Sequence, residues 1–272
     1  MLIIGEKINT VRKSVARALE RRDGRFFQQE ALNQVGAGAG VIDLNAGSDP
    51  HREQANMRWL VEVVQEVISV PLCIDSPNPE VIKAAFEACR DPHKLWANSI
   101  TAQSERVEGI LPLVKDHGCR VVGLCMDEDG VPNTVEDRLR VAQTLVKHVD
   151  RYGIPRENLY LDPLVEPIAV MPQRVQLVLR LIREIRAGWE DVRTVICLSA
   201  VSFGLPDRRL INRTFLVTLM EAGIDAVILD PLDCQLMSTL TAAEALFGQD
   251  ENCLAYIAAC RNRTLVEKEK RI

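Results

Sequence analysis

This sequence has few aromatic residues, no long apolar run and no secretion signal. Aromatic side chains make up 4% of its 272 residues, while hydrophobic side chains make up 47%, so aliphatic packing must dominate the core. No apolar run reaches the roughly 18 residues of a membrane-spanning helix, and no signal pattern follows Met1. We therefore expect a cytoplasmic protein that does not contact a membrane.

Basic residues are also fewer than acidic residues. The net charge is −5, from 33 Lys and Arg residues against 38 Asp and Glu residues. A surface that binds nucleic acid or an anionic membrane needs a basic stripe. We expect neither partner.

Cysteine pairs and histidine clusters are missing as well. None of the eight cysteines belongs to a CxxC pair, and several lie inside apolar patterns, which favours reduced packing cysteines over disulfides or a cysteine metal site. The four histidines, His51, His93, His117 and His148, fall in predicted helices or loops. A zinc hydrolase is therefore not indicated, no Ser-His-Asp order supports acyl transfer, and we expect no resident metal.

Short apolar runs alternate with amphipathic segments along the whole chain. The runs read as near-continuous apolar strands, which is typical of parallel strands covered on both faces. They occupy residues 2–5, 41–45, 70–76, 95–99, 120–126, 159–163, 194–199 and 226–230. This pattern predicts an α/β fold with a single (β/α)8 (TIM) barrel over residues 1–272, ending in a frayed charged tail at 267–272. No Gly-x-Gly-x-x-Gly motif follows the first strand, which weakens the doubly wound alternative.

Most of the predicted strands end in side chains that accept hydrogen bonds. In a barrel of this kind the active site lies at the carboxyl ends of the strands, which we call the barrel mouth. The polar residues there are Glu6, Asn9, Asp43, Asn45, Asp75, Ser76, Asn98, Ser99, Asp127, Asp162, Ser199, Ser202 and Asp230. Lys, Arg and His are scarce among them, so a phosphate substrate is disfavoured. Carboxylates could also bind Mg²⁺, but nothing in the spacing requires it.

A mouth of acceptors suits a neutral heterocycle with several N–H donors. In a pterin, the ring N–H and the exocyclic amine point the same way, so one carboxylate can accept both hydrogen bonds. Asp75, Asn98 and Asp162 provide such a set, and a site of this type is selective because a missing donor leaves a buried acceptor unpaired. The ordinary alternative for a strand-end aspartate such as Asp43 or Asp230 is to cap the next helix.

Several segments resemble the methyltetrahydrofolate:corrinoid-protein methyltransferases, which are pterin-binding barrels related to dihydropteroate synthase and to the folate domain of cobalamin-dependent methionine synthase. The resemblance runs through nearly the whole chain in order. It is found in Leu2-Ile3-Ile4-Gly5-Glu6-Lys7-Ile8-Asn9, Asp43-Leu44-Asn45, Cys73-Ile74-Asp75-Ser76, Asn98-Ser99, Leu161-Asp162-Pro163-Leu164 and Leu210-Ile211-Asn212-Arg213-Thr214-Phe215-Leu216.

The resemblance implies a role for each candidate residue. Asp75, Asn98 and Asp162 would hold the pterin ring. Ser199, on the seventh strand, and Arg208 match further folate-pocket positions, and Glu6 lines the same mouth. It also implies tetrahydrofolate as substrate, a corrinoid carried by a partner protein, and a homodimer.

One residue departs from the family pattern. The family has Ser-Asn-Val-Ser at the end of the seventh strand, and its Asn takes part in hydrogen bonding around the methyl-bearing pterin nitrogen. Here Ala200 stands in that place, and it has no side-chain donor or acceptor. Either Asp43, Asn45 or Ser202, our catalytic candidates, compensates together with water, or less help is needed at that nitrogen.

The missing amide bears on the direction of methyl transfer. Removing methyl from methyltetrahydrofolate requires acid assistance, whereas tetrahydrofolate attacks a methylated corrinoid through a neutral lone pair. We therefore predict the second direction, within a demethylation system such as O-demethylation. No Asp-x-His-x-x-Gly cobalamin signature is present. The alternatives are a methyltetrahydrofolate-consuming enzyme of an acetogenic pathway, dihydropteroate synthase, and a folate-binding subunit without turnover.

Overall fold

Eight parallel strands close into a barrel in the order in which they occur in the chain. The structure is a computed structural model that describes residues 1–262 and residue 265, so the predicted tail at 267–272 lies outside the described residues. The strands are β1 (Leu2–Asn9), β2 (Val41–Asn45), β3 (Leu72–Asp75), β4 (Leu95–Ile100), β5 (Arg120–Leu124), β6 (Leu159–Asp162), β7 (Arg193–Cys197) and β8 (Ala226–Leu229). The predicted (β/α)8 barrel is confirmed.

Helices cover the outside of this barrel. They are α1 (Lys13–Glu20), α2 (Gly24–Gly36), α3 (Glu53–Val64), α4 (Pro79–Ala88), α5 (Ser104–His117), α6 (Val135–Tyr152), α7 (Arg174–Gly188), α8 (Arg208–Ala222), α9 (Cys234–Leu246) and α10 (Leu254–Arg261). Local chemistry sets their ends. At the start of α6 the Thr134 hydroxyl accepts the Asp137 N–H at 3.1 Å, and Gly153 ends the helix at φ +68°, where a side chain would be strained.

The seventh strand is shorter than predicted. β7 ends at Cys197, and Leu198–Ser202 form a 3-10 turn, so Ser199 is not on the strand. The physical reason is that the Ser199 carbonyl accepts hydrogen bonds from the Arg208 guanidinium and the Ser202 hydroxyl rather than from a neighbouring strand. Sequence alternation could not reveal this tertiary contact.

Two apolar layers hold the fold together. The larger one lies between the strands and the helices. The smaller one fills the barrel and consists of Ile4, Val41, Cys73, Trp96, Val122, Tyr160, Val195, Ala226 and Ile228. Trp96 and Tyr160 pack in this interior with ring centroids 4.3 Å apart. Because both faces of each strand are covered, the strands are largely apolar up to the ends that reach the barrel mouth.

Trp96 is the largest side chain of the barrel interior, and replacing it tests how much this layer contributes. Trp96 is 1% exposed, so we expect Trp96→Ala to lower the free energy of unfolding by about 3–5 kcal/mol. The indole N–H has no hydrogen-bond partner among the described residues, so Trp96→Phe should cost less than half as much. Urea unfolding of both variants measures this, and equal losses would contradict it.

No helix in the described ranges is both long and apolar enough to cross a membrane. All eight cysteines are free thiols. Cys234, Cys253 and Cys260 are exposed, so the prediction that the cysteines pack in the core is wrong for these three.

Candidate active site

Inward-pointing side chains change from apolar to polar toward the barrel mouth. Residues two apart on a strand share a face. Each polar residue lies two positions after an apolar residue of the barrel interior, so its side chain also points inward. The pairs are Ile4 and Glu6, Val41 and Asp43, Cys73 and Asp75, Trp96 and Asn98, and Tyr160 and Asp162. We call Glu6, Asp43, Asp75, Asn98 and Asp162 the polar layer. The sheet register places Asp75 directly beside Asn98.

Asp75 is held by an amide of the neighbouring strand. Asn45 donates from Nδ2 to Asp75 Oδ2 at 3.0 Å. The Thr10 hydroxyl donates to Asn45 Oδ1 at 2.8 Å, which fixes the amide in the orientation that donates to Asp75. Burial raises the pKa of Asp75, and the hydrogen bond from Asn45 lowers it. The rest of the Asp75 carboxylate faces the barrel mouth as an acceptor.

Asp43 has an acceptor atom with no partner. It is 3% exposed, and its Oδ1 accepts no hydrogen bond from the described residues. Burial raises the pKa of Asp43 well above its usual range, and the Asp75 carboxylate raises it further. The Cys73 thiol and the Asn98 amide act in the opposite direction. A buried carboxyl with an unpaired oxygen is costly, and an N–H donor of a ligand would relieve that cost.

Asp162 is the polar-layer residue at the end of β6. It is 5% exposed, and the Leu164 N–H donates to its Oδ1 at 2.7 Å. Burial raises the pKa of Asp162 to about 7, while the hydrogen bond from Leu164 and the charge of Arg138 lower it. The carboxyl therefore sits between its two protonation states near neutral pH, where a ligand that donates N–H groups would favour the anion.

Glu6 links the polar layer to the turn that follows β7. The Ser199 hydroxyl donates to Glu6 Oε2 at 3.1 Å, and Arg12 Nη2 lies 3.5 Å from Glu6 Oε1. Burial raises the pKa of Glu6, and the Ser199 hydrogen bond lowers it. Two predicted site residues, Glu6 and Ser199, are thus in direct contact.

Arg208 and Ser202 hold the turn itself. Arg208 donates from Nε to the Ser202 hydroxyl at 3.0 Å and from Nη2 to the Ser199 carbonyl at 2.6 Å. Its guanidinium also lies 5.8 Å from the centre of the exposed Phe203 ring. Ser202 is fully buried, so its hydroxyl acts on the turn, and its catalytic role stays a prediction. Ala200 is half-buried in the same turn.

Sequence reasoning missed two residues that support the site. Thr10, which orients Asn45, is buried although it is polar. Arg138 is fully buried and lies on the same face of α6 as Val141, Leu145 and Val149. An arginine on the apolar face of a helix was the available signal, because a buried cation requires dedicated partners.

A cavity of about 700 Å³ lies at the loop that follows β5. Its lining comes from the loop of residues 127–133, from Ala102 and from the first turns of α6. Asp127, one of the polar residues predicted at the barrel mouth, lines it, and no residue of the polar layer does. The loop is acidic, with Asp127, Glu128 and Asp129 in sequence. Glu128 and Asp129 are exposed, whereas Asp43 and Asp162 of the polar layer are buried.

A family model described as pterin binding enzyme matches residues 5–230. This match covers most of the chain, including seven of the eight strands in full and β1 from Gly5 onward. The chain therefore belongs to the family of pterin-binding enzymes.

Two similar proteins point to a more specific group within this family. The chain is 34% identical over 263 residues to the methylcorrinoid:tetrahydrofolate methyltransferase of Eubacterium limosum, and the match covers 96% of each protein. It is 27% identical over 241 residues to the methionine synthase of Mycobacterium tuberculosis, covering 84% of this chain and 20% of that protein. The family resemblance read from the sequence is confirmed.

Solved structures show the same fold. Dihydropteroate synthase of Yersinia pestis, with a pterin–sulfa conjugate, matches with a TM-score of 0.67 at 18% identity and covers 91% of this chain and 93% of that one. The Xanthomonas albilineans enzyme with 4-aminobenzoic acid matches with a TM-score of 0.66 at 20% identity, over 92% of each chain. At these identities the likeness establishes the fold alone.

Proposed function

We propose that the protein is a methyltransferase that moves a methyl group between the cobalt of a corrinoid protein and the pterin nitrogen of tetrahydrofolate. The polar layer is the observation on which this rests. Asp75, Asn98 and Asp162 come from three strands and end in one acceptor-rich cluster, in which Asp162 is buried and the other two are half-buried. Asp43 contributes an unpaired oxygen. The full-length similarity to a methylcorrinoid:tetrahydrofolate methyltransferase supports the same assignment.

The chain's own residues bind and orient the folate. Asp75 accepts the ring N–H and the exocyclic amine of the pterin, Asn98 donates to its carbonyl oxygen, and Asp162 accepts a further N–H. Holding the ring fixed converts the transfer into an oriented displacement, which is the main contribution a protein makes to such a step. The corrinoid, when its carrier protein docks, supplies the reactive cobalt–methyl bond.

Glu6, Ser199 and Arg208 line the pocket beside the pterin. Asp43 and Asn45 lie within the hydrogen-bond network next to Asp75 and are the candidates to act at the methyl-bearing nitrogen. No amide side chain is available at Ala200. We infer that transfer runs from the corrinoid protein to tetrahydrofolate, in a demethylation pathway such as O-demethylation.

The setting of the enzyme forms part of the proposal. We propose a cytoplasmic homodimer that carries one barrel domain per chain and binds folate and a corrinoid protein, but neither nucleic acid nor a membrane.

Dihydropteroate synthase is the alternative within the same fold. That reaction releases pyrophosphate and requires free cationic groups. Three cations that the structure describes near the mouth are already paired: Lys7 lies 3.5 Å from Asp230, Arg12 lies near Glu6, and Arg208 is bonded to the turn after β7. The methyltransferase is therefore favoured.

Loss of methylcobalamin absorbance upon addition of tetrahydrofolate tests the proposed reaction. We expect turnover by the wild-type protein and none by Asp75→Ala. Tetrahydrofolate binding without turnover, with methylcobalamin and with methylated corrinoid proteins alike, would select the folate-binding subunit instead.

Replacing Ala200 tests the inferred direction. Ala200→Asn adds a hydrogen-bonding amide beside the methyl-bearing nitrogen, so we expect kcat for methyl removal from methyltetrahydrofolate to rise by about tenfold or more, with no rise in kcat for the opposite direction. The equilibrium constant fixes the ratio of kcat/KM between the two directions, so the difference must appear in kcat and KM measured separately. Initial rates with both substrate pairs measure this, and Ala200→Ser is a smaller polar control. Unchanged rates in both directions would remove the argument.

A further inference from the structure

Arg138 is a fully buried cation that the proposed reaction does not use. Its side chain is 0% exposed, and it starts the buried face of α6. A guanidinium removed from water is stable only if its donors are satisfied. The hydrogen-bond partners of Arg138 indicate its function.

Arg138 donates hydrogen bonds to two loops of the barrel mouth. Nη1 donates to the carbonyls of Pro163 at 2.5 Å and Leu164 at 2.6 Å. Nε donates to the Pro132 carbonyl at 2.8 Å, and Nη2 donates to Glu166 at 2.9 Å. One side chain therefore joins the loop after β5 to the loop after β6.

The loop after β6 needs this support because its backbone is strained. Leu164 has φ +58°, a left-handed conformation that residues other than glycine rarely adopt and that persists only where surrounding contacts fix it. Arg138 bonds the carbonyls on both sides of the Leu164 nitrogen. That same nitrogen donates to Asp162 Oδ1 at 2.7 Å.

A second arginine completes the support. Arg174 Nε lies 3.0 Å from Glu166 Oε2, and its Nη1 donates to the Asn133 carbonyl at 3.0 Å. Glu166 is thus shared by two largely buried arginines, one from α6 and one from α7. The pair holds both loops in a single arrangement.

We propose that Arg138 is the positioning residue for Asp162: by fixing the strained loop, it aims the Leu164 N–H at the carboxylate and holds that carboxylate toward the barrel mouth. This inference rests on the proposed pterin-binding role of Asp162. Arg138 does not touch the substrate, and it acts through the backbone of residues 163–164.

The charges around Asp162 make the inference measurable by pH. Arg138 is the charged side chain that lowers the pKa of Asp162. The thiols of Cys125, which follows β5, and of Cys197, which ends β7, interact with Asp162 and are neutral near pH 7 because burial raises their pKa. Removing the arginine charge therefore moves the pKa of Asp162 upward from about 7. Binding that needs the carboxylate then requires a higher pH.

The test is methyltetrahydrofolate affinity from pH 6 to pH 9 for Arg138→Met and Arg138→Lys. We expect Arg138→Met to bind about tenfold more weakly at pH 7, with its binding midpoint at a higher pH. Arg138→Lys keeps the charge but not the forked geometry. It should therefore lose affinity throughout and keep the wild-type midpoint, and it serves as the informative variant if Arg138→Met does not fold.

Two control variants separate positioning from stability. Val149→Ala removes a buried side chain from the far end of α6, and Arg140→Met removes an exposed charge from its first turns. Both should keep the wild-type affinity and midpoint. Wild-type binding by both Arg138 variants would overturn the inference. If Asp75→Asn also binds normally, the proposed function fails, whereas loss of binding in Asp75→Asn alone leaves that function intact.

Discussion

Asp75→Asn is expected to weaken tetrahydrofolate binding by about 10³-fold without weakening the fold. The carboxylate is proposed to accept two N–H groups of the pterin, and an amide at this position offers one acceptor and turns its own donor toward the ligand. Two hydrogen bonds to a charged group are worth roughly 3–6 kcal/mol together. Calorimetric titration of the wild-type and variant proteins measures the change.

Stability and binding should respond to this substitution in opposite ways. The Asp75 carboxylate raises the pKa of Asp43, so replacing it with a neutral amide relieves repulsion between two buried acids. Asp127→Asn is the matched control, since Asp127 also follows a strand end, and an amide can still accept the Asp129 N–H that Asp127 Oδ1 accepts at 3.0 Å. Equal affinity in Asp75→Asn and Asp127→Asn would contradict the site.

Asp162→Asn is expected to stabilise the folded protein increasingly as pH rises. Burial raises the pKa of Asp162 from an ordinary 3.8 to about 7, so between these values the folded state binds more protons than the unfolded state. Stability from this group is therefore complete below the ordinary pKa and is lost as pH rises through about 7. The variant does not titrate, so its advantage over the wild-type protein should grow by about 2 kcal/mol between pH 5.5 and pH 8.

Urea unfolding across this pH range measures that advantage. The amide oxygen can still accept the Leu164 N–H, so the loop should remain in place. Asp150→Asn is the control: Asp150 is exposed, and its hydrogen bond from Arg156 lowers its pKa from the ordinary 3.8. This carboxylate is therefore ionised in both the folded and the unfolded state throughout the range, so the variant should differ from the wild-type protein by an amount that does not change with pH. A pH-independent difference between Asp162→Asn and the wild-type protein would show that the carboxyl is not destabilised by burial.

Both predictions follow from one property of the polar layer: its buried carboxyls destabilise the folded protein and favour ligand binding. The polar layer gathers Glu6, Asp43, Asp75 and Asp162, and burial raises the pKa of each one. Such a cluster opposes folding on its own. A ligand that donates several N–H groups satisfies these acceptors, so the binding energy comes partly from relief of a cost that is already present in the folded protein.

Much of the barrel was predictable from the chain, for a specific reason. Strands such as Val41–Asn45 and Leu159–Asp162 are buried on both faces, so their apolar runs stand out from the amphipathic helices. The placement of Asp75, Asn98 and Asp162 at the barrel mouth was also predictable, because each ends or follows such a run. The inward orientation that these three side chains share then follows from the alternation of side chains along a strand.

Tertiary contacts account for what the sequence did not reveal. The 3-10 turn at Ser199 depends on Arg208 from the next helix, and the pairing of Asn45 with Asp75 depends on sheet register. The left-handed Leu164 depends on a buried arginine 26 positions earlier. Local propensity does not encode contacts of this kind.

A crystal structure of the protein with bound methyltetrahydrofolate tests the central claim most directly. The account predicts that the pterin ring lies within the polar layer, with its exocyclic amine and ring N–H at hydrogen-bond distance from Asp75 and further contacts to Asn98 and Asp162. A pterin ring found instead in the 700 Å³ cavity at the loop of residues 127–133, or on the outer surface with the polar layer unchanged, would contradict it.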